Sequence, residues 1–314
     1  METIKPESIR DLPRELFTRA PFREEQSEET GFSNYSYWRS TLRTFFKSHL
    51  VKVLVILVTA LIVYTLVYPM ITDLDPYQSS LSAREWNLEP GAEHLFGTDG
   101  IGRDIWARVW FGTRTSLVLA LMVAVCEVGL GVIIGALWGF YRKLDTLMFA
   151  IYNMLTNVPS TIYLILIAYI MKPGVITIII ALVSTGWIRE ARWFRSRILA
   201  LREADYNIAS ICLKTPTNRI ISRNIVPHLM SLIIMDAALT IPYSIGSEVF
   251  LSFIGVGLPP ELCTLGNLVN QGRSAIQNYP YQMIGPTLIL CFITVSFYII
   301  GNKFADASDP KNHV

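Results

Sequence analysis

The chain has 314 residues, of which 52% are hydrophobic, and its formal net charge is only +2. Its mean hydropathy of +0.40 is higher than a soluble domain of this size usually shows. The apolar residues fall into long blocks separated by basic or Gly/Pro-rich stretches, which is typical of helical membrane proteins with several spans. The composition therefore argues against a soluble globular domain, and the small net charge gives no sign of a nucleic-acid partner.

The sequence patterns of common catalytic and metal sites are missing from the chain. The four cysteines form no CxxC pair and the four histidines are isolated from one another. Neither HExxH nor the phosphate loop GxxxxGK[ST] occurs. We therefore expect no catalytic residue, no metal site and no cofactor or ATPase site in this chain. The residues concerned are Cys126, Cys212, Cys263, Cys291, His49, His94, His228 and His313.

The N-terminal 52 residues are predicted to form a cytoplasmic tail of two parts. Residues 1–34 carry mixed charges and three prolines, which favours a flexible segment. Residues 35–50 mix aromatic and basic side chains, which both favour the lipid headgroup layer. This second part is interpreted as an interfacial helix on the inner leaflet. A plain helical extension of the first span is the alternative.

Six apolar segments predict an all-α protein with six transmembrane helices. A helix of about 20 residues crosses the roughly 30 Å hydrocarbon layer, and a helix satisfies its own backbone hydrogen bonds there. The fourth segment is short, so we expect its helix to continue into the basic stretch that follows. The predicted spans are approximately 53–71, 115–140, 147–171, 175–188, 229–253 and 283–301.

The distribution of Lys and Arg predicts the orientation of these spans. The N-terminal tail carries nine basic residues and the link at 189–228 carries eight, whereas the loop at 254–282 has only Arg273. The loop at 72–114 has four, outnumbered by seven acidic residues. Because basic residues mark cytoplasmic segments, both termini, including residues 303–314, are predicted inside and these two loops outside. The core is predicted at 115–302.

The cytoplasmic link is more patterned than a solvated loop needs to be. From Arg202 to Leu229 it reads READYNIASICLKTPTNRIISRNIVPHL, with helix formers, a break at Thr215-Pro216, and a second amphipathic stretch ending at Pro227. The alternation of small, apolar and basic residues is typical of a helix that docks into a partner's groove. A solvated basic loop is the alternative.

Polar residues inside two predicted spans recur at helical spacing. Side chains three or four residues apart share one face of a helix, and such a polar stripe is costly against lipid. The stripes are interpreted as the lining of a water-filled translocation path, with interhelical hydrogen bonding as the alternative. They comprise Asp236, Thr240, Tyr243 and Ser247 on the fifth span, and Asn153, Thr156, Asn157, Ser160 and Thr161 on the third.

Glu127 lies midway along the second predicted span, where a carboxylate indicates a functional or a paired structural role. We therefore include it in the candidate path. Small residues share nearly its face and predict close helix packing. These small residues are Ser116, Ala120, Ala124, Gly131 and Gly135, followed by Gly139.

Four separated motifs resemble those of ABC importer permeases of the dipeptide and oligopeptide type. FGTDGIGRDIWARVWFGTRTSL at 96–117 is similar to the family's signature before the second span. The cytoplasmic link resembles its "EAA" loop, with Ala209 and Ser210 as the alanine pair and Ile225-Val226-Pro227 as its close. EVFLSFIGVGLPP at 248–260 and ADASDP at 305–310 are similar to later family motifs. The resemblance covers about residues 94–310.

The resemblance implies which residues have family roles. It implies signature positions at Gly97, Asp99, Gly102, Arg103, Asp104, Glu248, Gly255 and Gly257. It also implies contact with an ATPase through the 203–217 loop, at Glu203, Asp205, Tyr206, Ala209, Ser210, Lys214, Thr215 and Pro216. An importer-type core of five helices, with one additional N-terminal helix, follows from the same resemblance.

Three departures from the family pattern stand out. Ile208 replaces the usual glutamate of the loop, Lys214 replaces its usual glycine, and residues 263–266 read CTLG where the family has Pro-Ser-Trp-Gly. The first two leave the loop geometry open, and Lys214 is compatible with a helical conformation or with a changed contact. The third leaves the packing of the external gate open.

The resemblance implies the C-type permease subunit of an ATP-driven oligopeptide importer in the plasma membrane. Its expected partners are a homologous permease, two ATPase subunits that bind ATP and Mg²⁺, an extracellular peptide-binding lipoprotein, the peptide and the bilayer. One alternative keeps this architecture but imports nickel or another small solute. A second, from a different class, is a secondary carrier or channel that works alone.

Overall fold

A computed structural model of the chain describes residues 37–72 and 74–308, and this part is helical, with one isolated β-bridge between Thr98 and Asp104. The all-α prediction is confirmed. The helices are α1 Tyr37–Phe45, α2 His49–Ile71, α3 Ile105–Phe140, α4 Asp145–Thr156, α5 Ser160–Ile170, α6 Val175–Arg202, α7 Asp205–Cys212, α8 Thr217–Ile220, α9 Val226–Phe253, α10 Leu265–Ala275 and α11 Tyr281–Ser308. The chain divides into two compact units, residues 1–40 and 41–314, and the description below concerns the second.

Four helices of the described ranges are long and apolar enough to cross a membrane. They are α2, α3, the continuous helix Thr217–Phe253 that contains α8 and α9, and α11. A bent pair, Arg142–Thr156 and Ser160–Ile170, makes a fifth if it counts as one span. Helix α6 carries Arg189, Glu190 and Arg192 within its length. The protein thus has several apolar spanning helices, and the predicted count of six is not confirmed.

The prediction of one uninterrupted helix over 147–171 is wrong. Helices α4 and α5 are separated at residues 157–159 and bent by 79°. Pro159 has no backbone N–H and disfavours helical geometry at Val158, which accounts for the break. The predicted polar stripe is divided accordingly, with Asn153 on α4, Asn157 at the break and Ser160 at the start of α5.

Other helix boundaries also differ from the predicted ones. Helix α3 begins at Ile105, within the predicted external loop, because the Asp104 side chain accepts a hydrogen bond from the Ala107 N–H and caps the helix. The second stretch of the link does not end at Pro227. A π-helical turn, Ile221–Ile225, leads directly into α9, and Pro227 occupies its first turn, where a missing N–H costs little.

Two segments agree with the sequence-based expectations in part. Helix α6 has 28 residues and continues past Arg189, as predicted for the short fourth span. Within the predicted interfacial segment, α1 is separated from α2 by a turn at residues 46–48, so it is not a simple extension of the first span. The tail at 1–36 and the end of the ADASDP motif lie outside the described residues.

Helix α3 is the centre of the fold, and its small residues bring it close to α6. A Cβ added at Gly131 would lie 2.4 Å from Glu190 Cβ, and one added at Gly135 would lie 2.7 Å from the Ala191 carbonyl oxygen. Gly139 is similarly close to Ile198. The close packing predicted from the small-residue stripe is therefore confirmed for these glycines.

Gly135→Ala is expected to destabilise the chain by about 1–3 kcal/mol, because its methyl group would overlap the α6 backbone. Gly129→Ala is the matched control on the same helix, since nothing lies within 4 Å of its added Cβ. It should be neutral or stabilise by up to about 1 kcal/mol through helix propensity. Thermal unfolding in detergent measures both variants. Equal midpoints for the two would contradict the close packing of α3 and α6.

Candidate functional site

The signature residues before α3 form a compact polar turn. The Asp99 carboxylate accepts hydrogen bonds from the backbone N–H groups of Ile101 and Arg103, at 3.1 and 3.0 Å, and from Arg103 Nε at 2.7 Å. It also accepts one from Arg108, whose side chain is fully buried. Asp104 binds His94 Nδ1 at 2.6 Å in addition to capping α3. Through these contacts the two aspartates stabilise the turn that precedes α3.

Two glycines of the signature are required by this turn. Gly97 and Gly102 have φ values of +74° and +79°, which L side chains rarely adopt. A Cβ at Gly97 would also lie 2.3 Å from the Leu88 carbonyl oxygen. The signature therefore encodes a backbone shape as well as charges.

The second signature stretch surrounds a buried carboxylate, Glu248 of α9. It accepts hydrogen bonds from Thr264 Oγ1 at 2.8 Å, Ser252 Oγ at 3.2 Å and Ser116 Oγ at 3.4 Å. Gly266 leaves room for it, since an added Cβ would lie 2.5 Å from Glu248 Oε1. The chain then leaves α9 through Gly255, whose φ is +81°, and Gly257, which lies tightly against Ser252.

The unusual CTLG sequence at 263–266 is well packed. Thr264 accepts a hydrogen bond from the Asn267 N–H as the N-cap of α10, and its hydroxyl donates to Glu248. Cys263 and Leu265 are both buried. Thr264 thus supplies the hydroxyl that serine supplies in the family pattern, and the departure leaves no gap at this point of the fold.

A polar cleft of about 230 Å³ lies between α3, α6 and α9. Its lining includes four of the candidate path residues, one apolar residue of α9 and two charged residues of α6. The lining residues are Glu127, Arg189, Glu190, Asp236, Leu239, Thr240 and Tyr243. The structure therefore brings Glu127 together with Asp236, Thr240 and Tyr243, whereas Asn153, Asn157 and Ser247 are not among the residues that line this cleft.

Glu127 enters the cleft because the facing helix has no side chain opposite it. A Cβ added at Gly186 of α6 would lie 2.0 Å from Glu127 Oε1. The Glu127 side chain is only 1% exposed. Across the cleft, Arg189 Nη1 lies 3.3 Å from the Tyr243 hydroxyl, and its guanidinium carbon lies 4.9 Å from the centre of the Tyr243 ring.

Two hydroxyls of the α9 stripe, those of Thr240 and Ser247, donate within their own helix. Thr240 Oγ1 donates to the Asp236 carbonyl at 2.8 Å, and Ser247 Oγ donates to the Tyr243 carbonyl at 2.9 Å. Their lone pairs remain available as acceptors. Sequence reasoning missed Arg189 and Glu190 as members of this cleft, because both were assigned to the basic cytoplasmic link. Both residues follow Gly186 by about one turn of the same helix, and this spacing could have indicated that they lie near the cleft.

Helix α7, within the 203–217 loop, is followed by a residue with left-handed backbone geometry. The Lys214 N–H donates to the Ile211 carbonyl at 2.9 Å and the Thr215 N–H donates to the Ser210 carbonyl at 3.0 Å, which is the Schellman pattern. Lys214 has a φ of +57°. The helical conformation considered for Lys214 is wrong, since this lysine adopts the backbone shape for which glycine is favoured.

Buried amides attach α7 to the rest of the chain. Asn207 is fully buried, and its Nδ2 donates to the Leu201 carbonyl at 2.8 Å while its Oδ1 accepts from Asn224 at 3.0 Å. Arg202 also donates to the Gly139 carbonyl at 2.7 Å. Beyond α7, Ile220 and Ile225 pack with residues of α3 and α6 in one apolar cluster. Sequence reasoning missed the two asparagines, which have no distinguishing motif.

Large apolar side chains of α7 and of its C-cap are exposed. They are Tyr206, Ile208, Ile211 and Leu213, which are 44%, 47%, 46% and 81% exposed. Ala209 lies among them and is also exposed. Exposed apolar side chains grouped on one short helix are typical of a protein–protein contact. The replacement of glutamate by Ile208 adds to this surface.

Lys214→Gly is expected to stabilise the chain by about 1 kcal/mol, because glycine adopts positive φ without strain. Lys214→Ala removes the same charge but keeps the strained backbone, so it should not raise the thermal midpoint. The pair separates backbone strain from the loss of charge. Equal thermal midpoints for the two variants would contradict a strained backbone at residue 214.

The several long apolar helices define a polytopic helical membrane protein. The sequence matches, over residues 127–314, the family described as binding-protein-dependent transport system inner membrane component. The chain belongs to this family.

Several relatives match over almost their whole length. The chain is 33% identical to the oligopeptide transport system permease protein AmiD of Streptococcus pneumoniae R6, with 100% of each chain covered. It is 33% identical to the oligopeptide transport system permease protein OppC of Bacillus subtilis 168, with 96% of this chain and 99% of the relative covered. For the dipeptide transport system permease protein DppC of the same organism, the identity is 32% over 98% of this chain and 96% of the relative.

Proposed function

We propose that the chain is a membrane-spanning permease subunit of an ATP-driven oligopeptide importer. The observation that carries the proposal is the end-to-end similarity to permeases named for oligopeptide transport, at 33% identity. The polar cleft and stripes described above are also compatible with another small solute. The assignment of peptides as the cargo therefore rests on these relatives.

The expected partners are a homologous permease, two ATPase subunits and an extracellular peptide-binding lipoprotein. In this proposal ATP and Mg²⁺ are bound by the ATPases, and the chain itself has no ATPase site. Helix α7 is the coupling element, because its exposed apolar side chains offer a surface for docking while Asn207 ties it to α6 and to the π-helical turn that precedes α9. A displacement of α7 is thereby passed to the helices that line the cleft.

Reconstitution in liposomes tests the function. The five-component complex, with the binding protein outside, should accumulate a radiolabelled pentapeptide only when ATP is enclosed with the ATPases. Transport by the chain alone without ATPases would show a secondary carrier. Uptake of nickel that unlabelled peptide does not reduce would show the small-solute alternative.

The proposed orientation places both termini in the cytoplasm and the loops at 72–114 and 254–282 outside. In a cysteine-free variant, Glu89→Cys should react with an impermeant maleimide in intact cells, because its loop carries fewer basic residues than the N-terminal tail or the link at 189–228. Thr217→Cys should react only after permeabilisation. The opposite labelling pattern would refute this topology.

A further inference from the structure

The cleft between α3, α6 and α9 has more acidic than basic side chains. Glu127, Glu190 and Asp236 contribute three carboxyl groups from three helices, and Arg189 contributes one guanidinium. In the described part of the chain, Arg189 forms no salt bridge with these carboxyl groups. The Arg189 guanidinium instead contacts the ring and the hydroxyl of Tyr243. Acidic side chains among membrane helices are costly and usually have a functional partner.

Two of the carboxyl groups have unused acceptor oxygens inside the protein. Glu127 is 1% exposed, lines the cleft, and forms no hydrogen bond with any described residue. Asp236 Oδ2 is likewise buried without a hydrogen-bond partner in the same range of residues. A buried carboxylate that lacks a donor is a feature that native structures rarely leave uncompensated. A donor that enters the cleft from elsewhere would compensate both groups.

We propose that this cleft binds the ammonium group of a peptide in transit, an inference that rests on the function proposed above. An ammonium group presents three donors and no acceptor, which matches carboxylates with free lone pairs. The Tyr243 ring adds a cation–π surface, now faced by the exposed Arg189 side chain. The cleft volume of about 230 Å³ leaves room for the residue that carries the ammonium.

This chemistry suits a transporter of varied peptides. The N-terminal ammonium is the same in every unmodified peptide, so a site that recognises it does not depend on the cargo's sequence. The carboxyl groups come from three helices, and one of these, α9, is continuous with the segment that follows α7. Movement of the coupling segment would therefore change the spacing of the carboxyl groups and with it the affinity for the cation.

Peptide binding to the complete permease–ATPase complex in lipid nanodiscs, without the binding protein, tests the inference. The probes are tetra-alanine with a C-terminal fluorophore, with either a free or an acetylated N-terminus. The wild-type complex should prefer the free amine by about tenfold or more, as expected for charged hydrogen bonds. Glu127→Gln together with Asp236→Asn should remove this preference, and Glu127→Gln alone should reduce it.

Three further variants control for indirect effects. Asp306→Asn removes a carboxylate of α11 that is paired with Lys303 outside the cleft, and the preference should be unchanged. Glu127→Asp keeps the charge and should retain part of the preference. Arg189→Gln removes the competing cation and should increase the preference. This increase is a gain of binding, which a damaged fold would not produce.

The outcomes separate the inference from the function on which it rests. Equal binding of both peptides by the wild type, or a preserved preference in the double variant, would overturn the inference. If the neutral variants no longer co-purify with the second permease while Asp306→Asn does, the carboxyl groups pair with a basic side chain of that subunit, and the inference is also wrong. Absence of ATP-driven peptide uptake by the wild-type complex would instead refute the proposed function.

Discussion

Ala209→Glu should weaken docking of the ATPase subunits by about hundredfold or more. Ala209 is small and exposed among the apolar side chains of α7, so a glutamate there would bury an unpaired charge in the contact. Such a charge costs several kcal/mol, and each 1.4 kcal/mol is about tenfold in affinity. The measurement is the dissociation constant of the ATPases from the permease pair in nanodiscs.

Ala209→Ser is the matched control, because it keeps a small, neutral side chain like that of the neighbouring Ser210. We expect its docking affinity and peptide-stimulated ATP turnover to stay close to those of the wild type. If Ala209→Glu also leaves both quantities at wild-type levels, α7 is not the docking element and the proposed coupling route is wrong.

Asp99→Ala should lower the free energy of unfolding by about 3–5 kcal/mol, because it leaves the buried Arg108 guanidinium without its carboxylate. Arg108 is fully buried, its Nε and Nη2 lack partners among the described residues, and Gln271 Oε1 would be its remaining acceptor. The thermal midpoint should fall by roughly 10 °C.

Two comparisons identify the buried charge as the cause. Asp306→Ala removes an exposed carboxylate from its pair with Lys303, and such pairs contribute at most about 1 kcal/mol. Asp99→Ala combined with Arg108→Met removes both charges and should recover much of the lost stability. Equal midpoints for Asp99→Ala and Asp306→Ala would show that the ion pair does not hold the Asp99 turn together.

The sequence predicted those features of the fold that depend on local chemistry. Long apolar blocks gave the helices, and the small-residue stripe predicted the close approach of α3 to α6 at Gly131 and Gly135. The break in the third span was also encoded locally, by Pro159, but the apolar run on both sides concealed it. Helix α10 was not predicted because it is short and its composition is largely polar.

The candidate cleft required information that no linear pattern contains. Arg189 and Glu190 have the composition of a cytoplasmic link, yet the continuation of α6 places them beside Glu127 and Asp236. The positive φ of Lys214 could not be predicted from its residue type either, because lysine rarely adopts this conformation. Only its correspondence to a family glycine indicated a backbone requirement, which the structure shows to be retained.

Helix α3 has a mechanical consequence for any transporter built on this chain. It runs without an internal proline from the Asp99 turn to Phe140, and its 36 residues span about 54 Å. Over its second half the glycines hold it against α6, whose end leads into α7. The helix therefore acts as a stiff rod between the two surfaces of the membrane. A tilt imposed at one end must displace the other, so the Asp99 turn and α7 cannot change position independently.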